Sequence, residues 1–235
     1  MNLIELVPKD INDTTELSKK ILSQFKNIHG INIPDIIRLQ NRSYEAAKAL
    51  LKHNITVIPH IRLTSEPIDQ TIAIIQELID EGLEHVLLIK GDPPQSLKTD
   101  TYPIDTITAI EKIRKACPNI NLYGALDPYR QSLTKEINYC QRKISAGVNG
   151  LFTQPFFDIK LAEVFITQLK TDLFIGISPV IAQASQNYWI NHNQAIFPND
   201  FQLDLAHNAT LAKNLIELAN NHNQNTYLMP IKVDP

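Results

Sequence analysis

The stretch "TIAIIQELIDEGLEHVLLIKGDPPQ" (residues 71–95) contains the repeating unit of the fold. Its first part places isoleucine and leucine three or four positions apart over residues 72–79, which is the spacing of one face of an amphipathic helix. Gly82 predicts the end of that helix, and the apolar residues 86–89 predict a short buried strand. The strand stops abruptly on Lys-Gly-Asp at residues 90–92. A helix that leads into a buried strand is typical of a parallel α/β protein.

The same alternation of short apolar runs and longer amphipathic segments continues along the whole chain. Parallel neighbouring strands need a crossover connection, and the intervening helical segments can supply it, so this alternation predicts a parallel sheet. We expect eight strands, at residues 3–7, 33–37, 55–60, 85–90, 120–125, 150–154, 173–178 and 226–231. About eight strands in 235 residues is the size of a closed (β/α)8 TIM barrel. We therefore predict an α/β fold with a single barrel domain over residues 1–235.

An open, doubly wound parallel sheet is the alternative fold. Such a sheet usually carries a glycine-rich first turn, but this chain has only 7 glycines and neither a GxGxxG nor a GxxxxGK[ST] motif. No linker, low-complexity tract or short repeat divides the chain, which favours one domain. Residues 187–207, rich in Asn, Gln and His, predict a helix and a long connection before the last helix.

Composition and charge exclude several classes of partner. The chain is 43% hydrophobic, its formal net charge is −3 and its pI is about 6.2, so no basic field attracts nucleic acid or an anionic membrane surface. No apolar run is long enough to cross a bilayer, and acids at Glu5 and Asp10 come too early for a signal peptide. Cys117 and Cys140 have neither metal-site nor disulfide-framework spacing, so we expect buried thiols in a cytoplasmic protein.

Polar side chains stand at nearly every predicted strand end, while the strand interiors are aliphatic. In a barrel of this type the carboxyl ends of the strands form the active face. A barrel without a ligand site has no need of such groups, so we expect a site there. The residues are Glu5, Asp35, Arg38, His60, Arg62, Lys90, Asp92, Asp127, Gln154 and Ser178.

Glu5 and Gln154 each carry a functional interpretation. Glu5 lies between Ile4 and Leu6, so its side chain points either into the barrel or outward between helices. Inside, loss of solvent raises the pKa of a carboxyl group, which suits a proton donor. The Gln154 amide offers two donors and an acceptor at the end of a buried strand, which suits the edge of a heterocycle.

Asp92 and His60 leave alternatives open. Asp92 either caps the next helix, pairs with Lys90, or faces a ligand that approaches the backbone at Gly91. His60 is either a ligand contact or a hydrogen-bonded core histidine. A metal hydrolase on the same barrel is a further alternative, but apart from His85 at a strand start no other histidine stands at a predicted strand end, so we expect no metal site.

Several motifs, taken together, resemble the methylenetetrahydrofolate reductase family. They are "IPHIRLTS" (58–65) with "ELIDEGLEHVLLIKGDPP" (77–94), "KISAGVNGLFTQPFFD" (143–158), "GISPV" (176–180) and "IELVPK" (4–9). GDPP and TQPFFD at this separation form a fairly specific pair. The similarity runs in order from the first predicted strand to the last, and the family fold is the same barrel.

The resemblance implies a flavin enzyme. In the family NAD(P)H reduces FAD, and reduced FAD passes a hydride to 5,10-methylenetetrahydrofolate to give 5-methyltetrahydrofolate. Glu5 matches the general acid, and Asp92 matches a carboxylate beside both flavin and pterin, with catalytic, substrate-binding and cofactor-binding roles. Gln154 matches the amide that recognises the pterin edge.

The resemblance also implies cofactor contacts. His60, Lys90 and Gly91 match flavin contacts, and Arg142 and Lys143 match the pair that reaches the FAD phosphates. The choice between NADH and NADPH stays open. Family members often associate, so a homo-oligomer is also an expectation.

Two departures from the family pattern leave the function open. Lys90 stands where the family usually has Arg, which exchanges a planar fork for a point charge. The stretch "YGALDPYRQS" (123–132) replaces a cofactor-holding Tyr-Pro-Glu-x-His-Pro, and Tyr129 and Arg130 either substitute for it or do not. The chain is therefore a flavin-dependent reductase or a divergent paralogue. Such a paralogue binds a pterin, a folate or another ligand, or serves as a subunit of a complex, with reduced or no FAD binding.

Overall fold

In the computed structural model, which describes residues 1–91 and 101–230, eight parallel strands close into a barrel. The strands neighbour one another in chain order, and the last bonds to the first. This closure confirms the predicted (β/α)8 barrel and rules out the open sheet. The strands are β1 (Asn2–Glu5), β2 (Gly30–Ile33), β3 (Val57–Arg62), β4 (His85–Ile89), β5 (Asn121–Leu126), β6 (Gly150–Pro155), β7 (Asp172–Ile177) and β8 (Asn225–Leu228).

The helices surround the strands. They are α1 (Ile11–Gln24), α2 (Ser43–Leu51), α3 (Ile68–Asp80), α4 (Thr106–Ala116), α5 (Leu133–Ala146), α6 (Ile159–Gln168), α7 (Gln183–Asn193) and α8 (Leu205–Asn221). Both α7 and α8 lie between β7 and β8, and α8 packs against β7, β8 and α6. This arrangement confirms the predicted helix and long connection before the last helix. Among the described residues, no helix is both long and apolar enough to pass through a membrane.

Local chemistry sets the helix limits. Four of the described helices follow an aspartate whose carboxylate accepts hydrogen bonds from the first helical turn: Asp10, Asp105, Asp158 and Asp204. The helix α5 ends at Gly147, because this residue takes a φ of +116° that glycine adopts without strain. These capping residues fix where the four helices begin and where α5 ends.

The second strand is the one element that the sequence placed wrongly. It was predicted at residues 33–37, but the structure has it at Gly30–Ile33, all of it buried. Pro34 has no backbone N–H to donate to a neighbouring strand. Asp35 instead turns into a loop, where its carboxylate accepts hydrogen bonds from Arg42 Nε and Nη2 at 2.9 and 2.7 Å. The predicted and observed second strands share only Ile33, whereas the other seven predicted strands overlap the observed ones by three residues or more.

The barrel interior is filled by large side chains from alternate strand positions. Phe152 and Phe174 stack at its centre, with ring centroids 4.0 Å apart and planes 9° apart. Outward-facing aliphatic residues form the larger core between strands and helices. The interior cluster consists of Leu3, Ile58, Leu87, Tyr123, Phe152, Phe174, Tyr227 and Met229. The hydroxyl groups of Tyr123 and Tyr227 are the polar side-chain groups of this interior cluster, apart from the thioether of Met229.

Candidate active site at the carboxyl end of the barrel

The pairing register brings Glu5, Asn32 and His60 to the inner face of the barrel at its carboxyl end. Glu5 lies two residues beyond the interior Leu3, so it points inward, which decides between the two orientations left open by the sequence. Asn32 pairs with Glu5 on one side and with Ile58 on the other. His60 lies two residues beyond Ile58, on the same face.

Glu5 has the electrostatic surroundings of a proton donor. The Asn32 amide donates a hydrogen bond to Glu5 Oε2 over 3.4 Å. Burial raises the pKa of the Glu5 carboxyl to about 7, although the Asn32 bond opposes this shift. On the other side, burial and the charge of Glu5 raise the pKa of the Tyr227 hydroxyl. Glu5 can therefore hold its proton close to neutral pH, as a general acid must.

Gln154 is held at the same end by an irregularity in β6. Between Phe152 and Pro155 this strand has one residue more than its partner β7, which forms a β-bulge around Thr153 and Gln154. The Tyr227 hydroxyl donates to the carbonyl oxygen of Thr153 and so ties β8 to the bulge across β7. The half-buried Gln154 is thus positioned by a residue that also lies beside Glu5.

His60 presents an unpaired nitrogen. Within residues 1–91 and 101–230, its Nε2 atom is buried without a hydrogen-bond partner. Burial lowers the pKa of the imidazole to about 4, while the charge of Asp35 opposes that change, so the ring is neutral at ordinary pH. Native proteins rarely leave a buried polar atom unpaired, and one at a barrel mouth favours a ligand contact over a satisfied core histidine.

Gly91 is required by the space around it. Its φ is +84°, and a Cβ atom at this position would lie 2.7 Å from the guanidinium carbon of Arg62. The backbone at Gly91 is therefore approached closely, here by a side chain from β3. Lys90 is exposed, and its carbonyl oxygen accepts a hydrogen bond from Thr64 Oγ1 at 3.0 Å. Asp92 lies outside the described residues, so its role stays a prediction.

Arg142 and Lys143 have different surroundings. Lys143 is only 3% exposed, its ammonium donates to the carbonyl oxygen of Ala125, and it lies 4.2 Å from the centre of the Tyr139 ring. Burial lowers the pKa of this ammonium. Arg142 is exposed on α5. In this structure only Arg142 of the two is open to a phosphate group, and the predicted pair stays a prediction.

The loop between β5 and α5 folds onto a buried carboxylate. Glu136 is fully buried and accepts hydrogen bonds from Arg130 Nη2 at 2.8 Å and Gln131 Nε2 at 2.6 Å. The Tyr129 hydroxyl donates to the Pro155 carbonyl oxygen at 2.8 Å. Tyr129 and Arg130, which the sequence offered as substitutes for the family's cofactor grip, thus both make contacts inside the protein.

Comparison with known proteins identifies the family. The family model described as Methylenetetrahydrofolate reductase matches residues 7–215. The chain belongs to this family. The matched range includes neither β1 nor β8. The evidence that Glu5 and Tyr227 lie toward the mouth of this methylenetetrahydrofolate reductase barrel therefore comes from the structure and not from the family match.

Relatives named 5,10-methylenetetrahydrofolate reductase support the assignment. The Escherichia coli (strain K12) protein is 27% identical over 103 residues, which are 43% of this chain and 35% of that protein. The Pectobacterium carotovorum protein is 24% identical over 148 residues, 60% of this chain and 50% of that protein. The chain thus spans between about a third and a half of the relatives it matches.

Solved structures show the fold. A 2,3-dimethylmalate lyase superposes with a TM-score of 0.63 at 10% identity, over 98% of this chain and 75% of that one. The aldolase QR15 superposes with a TM-score of 0.58 at 9% identity, over 97% of this chain and 88% of that one. At such identities these likenesses concern the barrel alone.

Asn32, Tyr227 and Glu136 are residues of the candidate site that the sequence did not single out. Asn32 and Tyr227 each interrupt a short strand with a polar group, in "GINI" and "NTYL", and both face the barrel interior. Glu136 gave no signal, because an acid in the first turn of a helix is ordinarily exposed. A polar residue at an inward position of a barrel strand was therefore the available clue for two of the three.

Glu5 and His60 give opposite pH dependences of stability. The native pKa of Glu5 is raised from 4.5 to about 7, so the native state binds the extra proton and stability falls as pH rises through this interval. The native pKa of His60 is lowered from 6.5 to about 4, so stability rises with pH between these values. Each contributes about 3 kcal/mol, and between pH 4.5 and 6.5 the two largely cancel.

We therefore expect Glu5→Gln to unmask the histidine. The free energy of unfolding of this variant should rise by about 3 kcal/mol from pH 4 to 6.5, relative to the nearly flat wild-type contribution. Urea unfolding at half-unit pH steps measures this difference. His60→Gln is the matched variant and should show the opposite slope. Parallel curves for wild type and Glu5→Gln would show that the carboxyl titrates alike in both states.

Proposed function

We propose that this chain reduces 5,10-methylenetetrahydrofolate to 5-methyltetrahydrofolate, with FAD as cofactor and NADH or NADPH as hydride source. The observation that carries the proposal is the Glu5 carboxyl at the barrel mouth, with its pKa raised to about 7. Membership of the methylenetetrahydrofolate reductase family supports the substrate and the reaction.

The proposed chemistry needs a proton before it needs a hydride. The imidazolidine ring of the substrate opens to an iminium only if its departing nitrogen is protonated, and Glu5 supplies that proton. The Gln154 amide donates to and accepts from the edge of the pterin. The predicted role of Asp92 is to place a negative charge near the cationic iminium. Bound FAD, once reduced, supplies the hydride.

The residues at the barrel mouth suit a flavin ring. The loop between β5 and α5 suits the rest of the cofactor less well. The unpaired His60 Nε2 and the closely approached backbone at Gly91 would hold the ring, with Lys90 beside them. Arg142, exposed on α5, would bind a phosphate through its guanidinium. Lys143 would first have to leave the Ala125 carbonyl.

The inward position of Lys143 favours a second candidate function. A family paralogue that binds a pterin, a folate or another ligand, or serves as a subunit of a complex, has reduced or no need for a cation at the FAD phosphates. The closed loop over Glu136, with Tyr129 and Arg130 both engaged inside the protein, favours the same candidate. It retains the folate-facing residues Glu5 and Gln154.

An absorption spectrum of the purified protein distinguishes the two candidates. The reductase is yellow, and NADH or NADPH added without oxygen bleaches its flavin bands, which methylenetetrahydrofolate then restores to their oxidised form. The paralogue is colourless, takes up no added FAD and oxidises no reduced nicotinamide, but retains a folate or co-purifies with a partner. A colourless protein that takes up no FAD would remove the flavin from the proposal.

The remaining expectations about the molecule belong to the same proposal. We propose one barrel domain over residues 1–235 that works in the cytoplasm, and self-association as in other family members. Cys117 and Cys140 are both free and buried, which supports a reducing compartment. Light scattering of the purified protein measures the oligomeric state.

A further inference from the structure

We propose that Asn32 is a positioning residue that holds the Glu5 carboxyl group in both of its protonation states. The inference rests on the proposed function in one respect: that function makes Glu5 the proton donor. Asn32 has no counterpart among the residues that the sequence singled out. Two features of the structure carry the proposal: the contact of its amide nitrogen, and the unpaired state of its amide oxygen.

The side chain of Asn32 is completely withdrawn from solvent, and its neighbours fix its position. It is 0% exposed on β2 and pairs directly with Glu5 on β1. Its Nδ2 atom donates to Glu5 Oε2 over 3.4 Å. The backbone of Asn32 is also fixed from the same side, because its carbonyl oxygen accepts from the Leu6 amide at 2.9 Å. The side chain can therefore change its orientation at the amide group without moving the strand.

A half-buried acid that donates a proton is best served by a neighbour suited to two opposite states. The ionised carboxylate needs a hydrogen-bond donor, which the Asn32 amide nitrogen supplies in this structure. The protonated carboxyl needs an acceptor, and Asn32 Oδ1 is buried without a partner in the described part of the chain. Rotation of the amide by about 180° about its terminal torsion presents that oxygen to the Glu5 proton.

An uncharged amide suits this position better than a cation. Bonds to a charged acceptor are roughly twice as strong as those between neutral groups, so the amide favours the carboxylate somewhat and lowers the Glu5 pKa. A lysine or arginine there would lower it much further and leave no proton to donate near neutral pH. Asn32 thus limits the effect of burial without cancelling it.

The other groups around Glu5 come from two strands, β3 and β8. Tyr227 on β8 lies beside the carboxyl, but its hydroxyl donates to Thr153. His60 on β3 is neutral, and Arg62 near the end of β3 lies against Gly91. Among the described residues, Asn32 is the one side chain with a hydrogen bond to the Glu5 carboxyl.

A direct titration of Glu5 tests the proposal without relying on turnover. Protein labelled with ¹³C at the glutamate carboxyl carbons is titrated by NMR, and the Glu5 signal is identified by its loss in Glu5→Gln. We expect Asn32→Leu to raise the Glu5 midpoint by about one pH unit, since a bond to a charged group is removed. If the protein is a reductase, the alkaline limb of its rate profile should move by the same amount.

Two further variants keep the test decisive. Asn121→Leu makes the same change at an inward register position at the other end of the barrel, and should leave the Glu5 midpoint within about 0.2 units. Asn32→Asp preserves the shape of the side chain and should raise the midpoint more than Asn32→Leu, because a like charge replaces a donor. It serves alone if the leucine variant does not fold.

The outcomes separate this proposal from the proposed function. An unchanged Glu5 midpoint in Asn32→Leu or in Asn32→Asp overturns the positioning role. If the wild-type protein has no reductase activity but Asn32→Leu still raises the Glu5 midpoint, the positioning role stands and the proposed reaction is removed. An equal rise in Asn121→Leu would show that the change reflects general loosening of the barrel, which also overturns the role.

Discussion

Glu5→Gln should lower methylenetetrahydrofolate turnover at least about 100-fold while reduction of bound flavin by NADH or NADPH stays within about twofold. The substitution keeps the shape of the side chain and its contact with Asn32, but glutamine has no proton to give to the departing nitrogen of the folate ring. Flavin reduction by nicotinamide needs no such proton donor, so it should be spared. Stopped-flow measurement of the two half-reactions separates them.

The comparison variant for this experiment is Glu163→Gln. Glu163 lies exposed on α6, so the same chemical change there should alter neither half-reaction. A Glu5→Gln protein that turns over methylenetetrahydrofolate at the wild-type rate would exclude Glu5 as the proton donor. The paralogue hypothesis expects neither half-reaction in either protein.

The second large effect concerns the loop between β5 and α5. Glu136→Gln should lower the free energy of unfolding by about 2–4 kcal/mol, which corresponds to a fall in Tm of roughly 5–10 °C for a chain of this size. The fully buried carboxylate accepts from Arg130, from Gln131 and from the backbone amide of Asp127 at 3.2 Å. An amide in its place turns N–H groups toward some of these donors and leaves Arg130 without its counter-ion.

Thermal and urea unfolding of Glu136→Gln and Glu163→Gln measure this effect against an exposed control. The free energy of unfolding of the control should differ from that of wild type by less than about 0.5 kcal/mol, because the charge of an exposed carboxylate contributes little to stability. The Arg130 side chain is 44% exposed, which keeps the expected cost below that of a fully enclosed ion pair. Equal stability of the two variants would show that Glu136 does not hold the loop.

The family assignment shows how far sequence patterns reach. GDPP and TQPFFD, read together, pointed to the methylenetetrahydrofolate reductase family, and the family model over residues 7–215 confirms that assignment. The strand-end rule selected Glu5, His60 and Gln154, and the structure brings all three to one end of the barrel. The rule works because parallel strands in a closed barrel all end on the same side.

The sequence alone does not show the surroundings of a side chain whose contacts lie on distant elements. Lys143 matches a phosphate-binding position, yet its ammonium lies against the Ala125 carbonyl. Glu136 looks like an ordinary first-turn acid, yet it is completely buried. Neither contact is visible in local periodicity, because the partners lie on other elements or in a loop whose path is set by packing.

The sequence by itself determined the alternation of strands and helices, the barrel, and the family. Those features depend on hydrophobic periodicity and short motifs, which are local properties of the chain. Only the tertiary structure decided that Glu5 points inward, that Asn32 and Tyr227 surround it, and that β2 begins at Gly30. The reason is that strand register and barrel closure set side-chain direction and burial, and these in turn set the pKa of Glu5.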